Sequence, residues 1–170
     1  EHGQYTCPRG SITWKDCFYE DCGAQGIQIR HNQNRADPEW TRPRLLTMTD
    51  LTTLECGQVR GAGRAGFSVS VKDMGPETDV TMSHIAVRTI KQRNVRKSGS
   101  LIYHSFGGIC VEYCRNLTIS DSWVELLQPD RPAIQLYDFS RKQPTKTGPE
   151  NIDVTRTHVA NGAHIAVRKG

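Results

Sequence analysis

The chain has 170 residues, 36% of them hydrophobic and 24% charged, and a formal net charge of +4. This length suits one globular domain, and no apolar run approaches the ~18 residues that would span a membrane. Fifteen Gly and eight Pro, with no long amphipathic stripe, argue against a helical bundle and favour short strands rich in Thr, Val and Ile. We therefore predict a mostly β protein.

A short strand pattern recurs along the chain. Each copy opens on an aliphatic residue followed by Thr or Asp, and the steps between copies are 34, 34, 37 and 35 residues. The copies begin at Ile12, Leu46, Val80, Leu117 and Ile152. Repeats of this length indicate stacked units, each of which buries its apolar face against its neighbours.

A second alternating run follows each copy. These runs are GIQIR from Gly26, GFSVSV from Gly66, GICVEY from Gly108, AIQLY from Ala133 and HIAVR from His164. Because the side chains of a strand alternate between its faces, one face should carry the column Ile27, Phe67, Ile109, Ile134 and Ile165. No Asn-Gly or Asp-Gly pair stands where a hairpin would need it, so we predict parallel stacking of successive copies rather than an antiparallel sandwich.

The repeat resembles that of the right-handed parallel β-helix proteins of the pectate-lyase-like superfamily, and the likeness covers nearly the whole chain. It implies an all-β fold: a right-handed, single-stranded parallel β-helix (solenoid) of about five coils with long loop insertions, forming one domain over residues 1–170. GIQI and its equivalents would be the first strand of each coil, and ITW and its equivalents the second. The third strands would be CFY, LTT, IAV, SWV and THV.

The bend between the second and third strands carries one polar or charged residue per copy. These residues are Asp16, Asp50, His84, Asp121 and Arg156. In many proteins of the superfamily this column is a stacked Asn ladder, which is absent here as such. Asp favours tight bends because its side chain bonds to nearby backbone. Stacked carboxylates would also repel less where a cation intervenes.

Three long excursions interrupt the repeats, over residues 31–44, 88–107 and 138–150. In a repeat protein such insertions fall on one or two faces, where they build a binding site or serve as passive edges. The second excursion is rich in Arg and Lys, which suits an acidic polysaccharide, with nucleic acid as the weaker alternative and a plain solvated surface as the bland one.

Aromatic side chains near those excursions can stack on sugar faces. The predicted substrate-binding residues are Arg93, Arg96, Lys97, Tyr103, His104 and Trp40. Trp14 and Trp123 fall inside the repeats, where packing explains them at least as well.

The resemblance implies that substrate lies along the first strands, so their outward positions are the candidates for catalysis. One outward column reads Arg30, Ser70, Glu112, Tyr137 and Arg168. Glu112 would be an acid or base beside the phenolic Tyr137, and Arg30 and Arg168 would hold a uronate carboxylate or act as the base of a β-elimination. A salt-bridged ladder without chemistry is the alternative.

Cys22 and Cys56 each lie ten residues after the opening aliphatic of their copy, which stacks them on adjacent coils as either a disulfide or two buried thiols. No cysteine pairing has the spacing of a zinc site, and no metal ligands are assigned. Calcium is the one cofactor that the resemblance suggests, through oxygen-rich turns at residues 77–79 and 150–153. Nothing in their spacing requires it.

The chain enters a coil almost at once and finishes inside a first strand, at HIAVRKG. Natural solenoids cap their open edges, so we expect a fragment of a longer β-helix protein, or a homo-oligomer that covers the ends. The opening EHGQYTCPRG lacks the pattern of a secretory signal. An extracellular or periplasmic location is expected from the polysaccharide partner.

These features predict an enzyme that acts on an acidic polysaccharide, a lyase before a glycoside hydrolase, without membrane contact. The signatures of the polygalacturonases, pectate lyases and pectin methylesterases are absent, so the likeness supports the architecture and no particular activity. The alternative is a non-catalytic β-helix that binds glycans or forms a rod in a cell-surface, adhesin or phage tail protein.

Overall fold

The computed structural model of the chain describes residues 4–6, 10–22, 25–30, 44–57, 67–72, 74–90, 96–97, 100–101, 107–127, 132–136, 148–161 and 164–167. Within these ranges the protein is all-β. Its strands are β1 (Gln4–Thr6), β2 (Ile12–Glu20), β3 (Ile27–Arg30), β4 (Leu45–Leu54), β5 (Phe67–Lys72), β6 (Gly75–Thr89), β7 (Arg96–Lys97), β8 (Ser100–Leu101), β9 (Gly107–Val111), β10 (Cys114–Ser120), β11 (Trp123–Leu126), β12 (Pro132–Leu136), β13 (Asn151–Thr155), β14 (His158–Ala160) and β15 (His164–Val167).

Two sheets of parallel strands make up the fold. The first contains β1, β3, β5, β9, β12 and β15 in that order. The second contains β2, β4, β6, β10 and β13, with β11 and β14 continuing from the far half of β6. Among the described strands, β7 and β8 form the antiparallel pair. The all-β class and the parallel pairing of successive copies are therefore confirmed.

The second sheet holds the repeat in the predicted alignment. The five opening aliphatics are Cα partners in sequence along the sheet: Ile12 with Leu46, Leu46 with Val80, Val80 with Leu117, and Leu117 with Ile152. The predicted third strands are also in register, because Phe18, Thr52, Ala86, Trp123 and His158 form one continuous column. Steps of 34 to 37 residues thus return the chain to the same place in the sheet.

A left-handed backbone residue separates the second and third strands of every copy. The φ angles are 54° at Asp16, 53° at Asp50, 53° at His84, 52° at Asp121 and 43° at Arg156. In β4 the core residues Leu46 and Met48 precede this residue and Leu51 and Thr53 follow it, all fully buried. The bend therefore shifts the alternation by one residue, so that both strands direct apolar side chains to the same interior. The predicted bend is confirmed at all five positions.

Acidic and basic side chains meet within the bend column. Arg156 donates two hydrogen bonds to Asp121, with Nη2 lying 2.8 Å from Oδ2. His84 Nδ1 lies 3.6 Å from Asp50 Oδ1. The hydrogen bonds from Arg156 are the main reason that the pKa of Asp121 is lowered to about 2. Opposite charge thus accompanies the bend geometry, as the sequence allowed.

The first sheet departs from the predicted register at one strand. Ile27 pairs with Val69, not with the predicted Phe67, whereas Ile109, Ile134 and Ile165 occupy the expected column. Phe67 instead pairs with Gly107, where a Cβ would lie 2.6 Å from Phe67 Cε1. The aromatic ring occupies the space that this glycine leaves. A two-residue shift keeps each side chain on its predicted face, so alternation alone could not detect it.

The hydrophobic core lies between the two sheets. It combines Ile27, Val69, Ile109 and Ile134 of the first sheet with Met48, Met82 and Ile119 of the second, all fully buried. Full burial of such side chains contributes ~1.5–3 kcal/mol each, and this stacking of like on like stabilises the fold.

A polar ladder missed by the sequence reasoning runs along the start of the second strands. Asn151 Nδ2 donates to Asn116 Oδ1, and Asn116 Nδ2 donates to Asp79 Oδ1, each at 2.8 Å. Arg115 also donates to Asp79, with Nε 2.8 Å from Oδ1. The Asn ladder that the bend lacks is thus present in short form at the other end of the same strands.

The described cysteines are free thiols: Cys17, Cys22, Cys56, Cys110 and Cys114. Glu20 pairs with Leu54 two residues earlier, which places Cys22 next to Cys56 as predicted. Burial, with a contribution from the neighbouring Cys22, raises the pKa of the Cys56 thiol to about 12. Of the two predicted alternatives, the structure has the pair of thiols.

Candidate functional site

Three charged residues line up at the ends of neighbouring strands of the first sheet. Arg30 ends β3 and is the Cα partner of Lys72, which ends β5. Val71 pairs with Val111, so Glu112, the next residue after β9, lies beside Lys72. We call Arg30, Lys72 and Glu112 the charged column. It belongs to the face opposite Ile29 and Val71, because side chains alternate along a strand.

Lys72 and Glu112 form an ion pair that is largely withdrawn from solvent. Lys72 Nζ lies 3.1 Å from Glu112 Oε1, and the two side chains are 26% and 6% exposed. The Glu112 amide donates to the Val71 carbonyl at 2.9 Å, which fixes the backbone beside the pair. Burial lowers the pKa of Lys72, but the charge of Glu112, with help from Cys110, more than offsets this and leaves the pKa raised. Lys72 is therefore a cation held in place by its partner.

Arg30 supplies the exposed positive charge of the column. Its proximity acts against protonation of Lys72 and lowers that pKa, although less than Glu112 raises it. Strands of a sheet lie ~4.8 Å apart, so the two cations are spaced closely enough to contact one anionic group.

A buried polar row lies two residues before the charged column on the same face. It consists of Gln28, Ser70, Cys110 and Gln135, which are 8%, 0%, 1% and 3% exposed. Ser70 Oγ makes no hydrogen bond among the described residues. The expectation that Ser70 belongs to the outer charged column is wrong, because the two-residue shift of β5 places Lys72 there instead.

The predicted site residues have different outcomes. The structure brings Arg30 and Glu112 into one column, as expected. Arg96 and Lys97 form β7. Six predicted residues lie outside the described part of the chain: Tyr137, Arg168, Arg93, Tyr103, His104 and Trp40. Their proposed roles remain predictions.

Lys72 is the site residue that the sequence reasoning missed. Aligning the runs on their opening Gly placed Ser70 in the column. Aligning them on their closing residue gives IQIR, VSVK and ICVE, each an aliphatic alternation that ends on a charge. That pattern would have identified Lys72, because it puts the charged residue that closes each run in one column.

The suggested calcium turns do not come together as a metal site. Asp79 is bound to Arg115 and Asn116, and Glu150 Oε1 accepts a hydrogen bond from Tyr113 at 3.2 Å. Across the described residues, no group of three or more His, Cys, Asp or Glu side chains is placed to hold a metal ion. In the same part of the chain, no helix has the length and apolar character needed to cross a membrane.

No known family matches the chain. Neither the curated proteins nor the solved structures provide a match. Any assignment of function therefore depends on the residues of this chain and their geometry.

Proposed function

We propose that the protein is a right-handed parallel β-helix that acts on an acidic polysaccharide at its charged column. The repeat supports the architecture, since each 34- to 37-residue step adds one strand to the first sheet and two strand segments to the second. Parallel pairing of each copy with the next in the second sheet is the arrangement that such winding produces.

The observation that carries the functional proposal is the adjacency of Arg30 and Lys72 at the ends of β3 and β5. A guanidinium binds a carboxylate through two parallel hydrogen bonds, and an ammonium adds a point charge. Glu112 holds Lys72 in position, so little side-chain entropy is lost when an anion binds. A uronate carboxylate fits this pair.

Elimination is the reaction that this arrangement favours. Neutralising a uronate carboxylate acidifies the proton on the adjacent ring carbon. A base removes that proton, the electron pair forms a carbon–carbon double bond, and the glycosidic oxygen leaves with a proton from solvent or an acid. The raised pKa of Lys72 suits charge neutralisation and not proton abstraction. Arg30, which stays protonated, is then the candidate clamp on the exposed side, and the base would come from outside the charged column.

Hydrolysis is less favoured by the same geometry. A glycoside hydrolase commonly needs two carboxyl groups, one on each side of the scissile bond. Glu112 is the one carboxylate of the charged column, and it is 6% exposed and bound to Lys72.

Glycan binding without turnover is the second candidate function, and the burial of Glu112 favours it. A carboxylate that is 6% exposed and bound to Lys72 is poorly placed to reach the ring of a bound sugar. In that case Arg30 and Lys72 would recognise acidic sugars while the stacked sheets provide a rigid rod.

A panel of uronic-acid polymers tests the proposal. Affinity is measured by calorimetry, and cleavage by the ultraviolet absorbance of unsaturated products and by the release of reducing ends. We expect binding, and unsaturated products if elimination occurs. Binding without either product would establish the second candidate, and the absence of binding across the panel would refute both.

Two variants locate the site. Arg30→Gln should weaken binding about tenfold, corresponding to ~1.4 kcal/mol. Lys15→Gln removes another exposed positive charge, from the second sheet, and should have little effect. Equal losses in the two variants would show that binding reflects overall charge and not the charged column.

A further inference from the structure

Two exposed aromatic side chains stand in one column of the second sheet, away from the charged column. The column runs Phe18, Thr52, Ala86, Trp123, His158 across five paired strand segments, and we call it the aromatic column. Phe18 is 61% exposed and Trp123 is 47% exposed. Both rings lie on the outward face of the sheet, where an exposed aromatic side chain can serve as a stacking platform for a ligand.

The indole of Trp123 is held in a defined orientation. Its ring stacks on the imidazole of His158, with centroids 4.1 Å apart and planes 26° apart. The partner strand on the opposite side carries Ala86, whose side chain is a single methyl group. The indole is thus supported on one side by a ring and bordered on the other by a small residue.

Small residues separate the two aromatic rings. Thr52 and Ala86 lie between Phe18 and Trp123, so the rings are three strand spacings apart, or ~14 Å. The floor between them is the methyl group of Ala86 and the side chain of Thr52. This arrangement forms a shallow trough with an aromatic side chain at each end.

The charges beside the trough argue against an anionic ligand. Two residues to either side of the aromatic column lie five carboxylates, two arginines and one histidine. They are Asp16, Asp50, Asp121, Glu20, Glu125, Arg88, Arg156 and His84. Arg88 Nε donates to Glu125 Oε2 at 3.0 Å, and Arg156 is bound to Asp121. The remaining carboxylates give the border an excess of negative charge, which repels uronates and phosphates.

A protein partner would need a larger surface. Stable interfaces use ~20–30 residues per side, whereas the apolar part of this face is one column wide and has two large side chains. Stacking of a pyranose ring on an indole needs only one exposed aromatic face, because sugar C–H groups are apolar while the ring hydroxyls bond to flanking polar groups. Arg88 and Glu125 lie two residues further along the strands of Ala86 and Trp123, so they place hydrogen-bond donors and acceptors beside the indole.

We propose that the aromatic column binds a neutral glycan, whose sugar rings stack on Trp123 and, in longer chains, reach Phe18. This site lies on the opposite sheet from the charged column and does not depend on the function proposed there. The protein would then hold a neutral glycan on one face independently of any acidic polysaccharide on the other.

Calorimetric titration with neutral hexasaccharides of glucose, mannose and N-acetylglucosamine tests the site. We expect at least one of them to bind. Trp123→Ala should weaken it about tenfold or more, whereas Trp123→Phe, which retains a stacking ring, should weaken it less. Phe18→Ala should weaken hexasaccharide binding about threefold and leave disaccharide binding unchanged, since only the longer ligand spans the ~14 Å between the rings.

Leu45→Ala is the matched control, because Leu45 is 45% exposed on the same sheet but outside the aromatic column. Binding should be unaltered in this variant, and melting temperatures of all variants should stay close to that of the parent because the altered side chains are exposed. Absence of binding by all three hexasaccharides would overturn the proposal. So would equal weakening by Leu45→Ala, or displacement of the glycan by tetramethylammonium at equal concentration, which would indicate a cation site.

Discussion

Arg156 and Asp121 are neighbours in the bend column, and the guanidinium donates two hydrogen bonds to the carboxylate across adjacent strands. These bonds lower the pKa of Asp121 to about 2, whereas an unperturbed Asp titrates near 3.9. A lowered pKa stabilises the fold above the unfolded-state pKa, and this contribution disappears as the pH falls through the folded-state value. The Arg156 and Asp121 side chains are 69% and 31% exposed, so solvent screening keeps the effect small.

Arg156→Gln should therefore lower the melting temperature slightly at pH 7, and the difference from the parent should vanish as the pH falls from about 4 to about 2. Circular dichroism melts across this range measure it. Lys15→Gln, an exposed change on the same sheet, should show no such dependence. A difference that persisted at pH 2 would mean that Arg156 acts through something other than the Asp121 carboxylate.

Glu112→Gln should reduce the free energy of unfolding by about 1–3 kcal/mol, because it leaves the mostly buried Lys72 without its counter-charge. Urea denaturation gives the value. Combining Glu112→Gln with Lys72→Met should recover much of the loss, since no charge then stays buried.

The pair formed by Arg88 and Glu125 is the matched control. It joins adjacent strands at a similar distance of 3.0 Å, but Arg88 is 55% exposed. Glu125→Gln should cost less than about 1 kcal/mol. If both single variants lost the same stability, burial would not be the reason for the effect at Glu112.

Ile134→Asp should unfold the protein or reduce its stability by several kcal/mol. Ile134 is fully buried and pairs with Ile109 and Ile165, so the carboxylate would be enclosed by apolar side chains. Ile165→Asp changes the next residue of the same column, which is 42% exposed, and should be much less damaging. Thermal melts of the two variants compare them directly, and similar melts would contradict the proposed core.

Cys56 should be resistant to alkylation in the folded protein. Burial raises the pKa of its thiol to about 12, and the thiolate is the reactive form. Iodoacetamide at neutral pH, followed by peptide mass spectrometry, should label the half-buried Cys17 well before Cys56. In urea the two should react at similar rates. Early labelling of Cys56 without denaturant would show that the third strands open locally.

Much of the second sheet was predictable because its repeat combines a step of 34 to 37 residues with a residue that marks the bend. Asp50 and its equivalents define where alternation shifts, so the alignment of Ile12 through Ile152 had no freedom to slip. The first sheet lacks such a marker. Val69 and Phe67 are both apolar and lie on the same face, so either could have paired with Ile27. The structure pairs Phe67 with Gly107, which leaves room for the aromatic ring.

The candidate site was predicted in part for the same reason. Arg30 and Glu112 stand at equivalent positions of their runs, so the sequence alignment placed both in the column. Lys72 was missed because the alignment of β5 was wrong by two residues and put Ser70 in its place. For Trp123 the sequence left packing at least as likely as an exposed position, because the residue lies inside a repeat. Its exposure depends on the left-handed residue Asp121, which sets the face of every side chain that follows.

The five left-handed bends are positions at which the stability of the protein could be increased by substitution. Residues with a Cβ pay a conformational penalty in this region that Gly avoids, yet the chain uses Asp, His and Arg at all five bends. Acidic and basic side chains therefore occupy these bends at a cost in backbone energy. Each bend repeats the same geometry, and Asp16 is the first residue of the column. Asp16→Gly should therefore give a more thermostable scaffold while keeping the contacts between His84 and Asp50 and between Arg156 and Asp121.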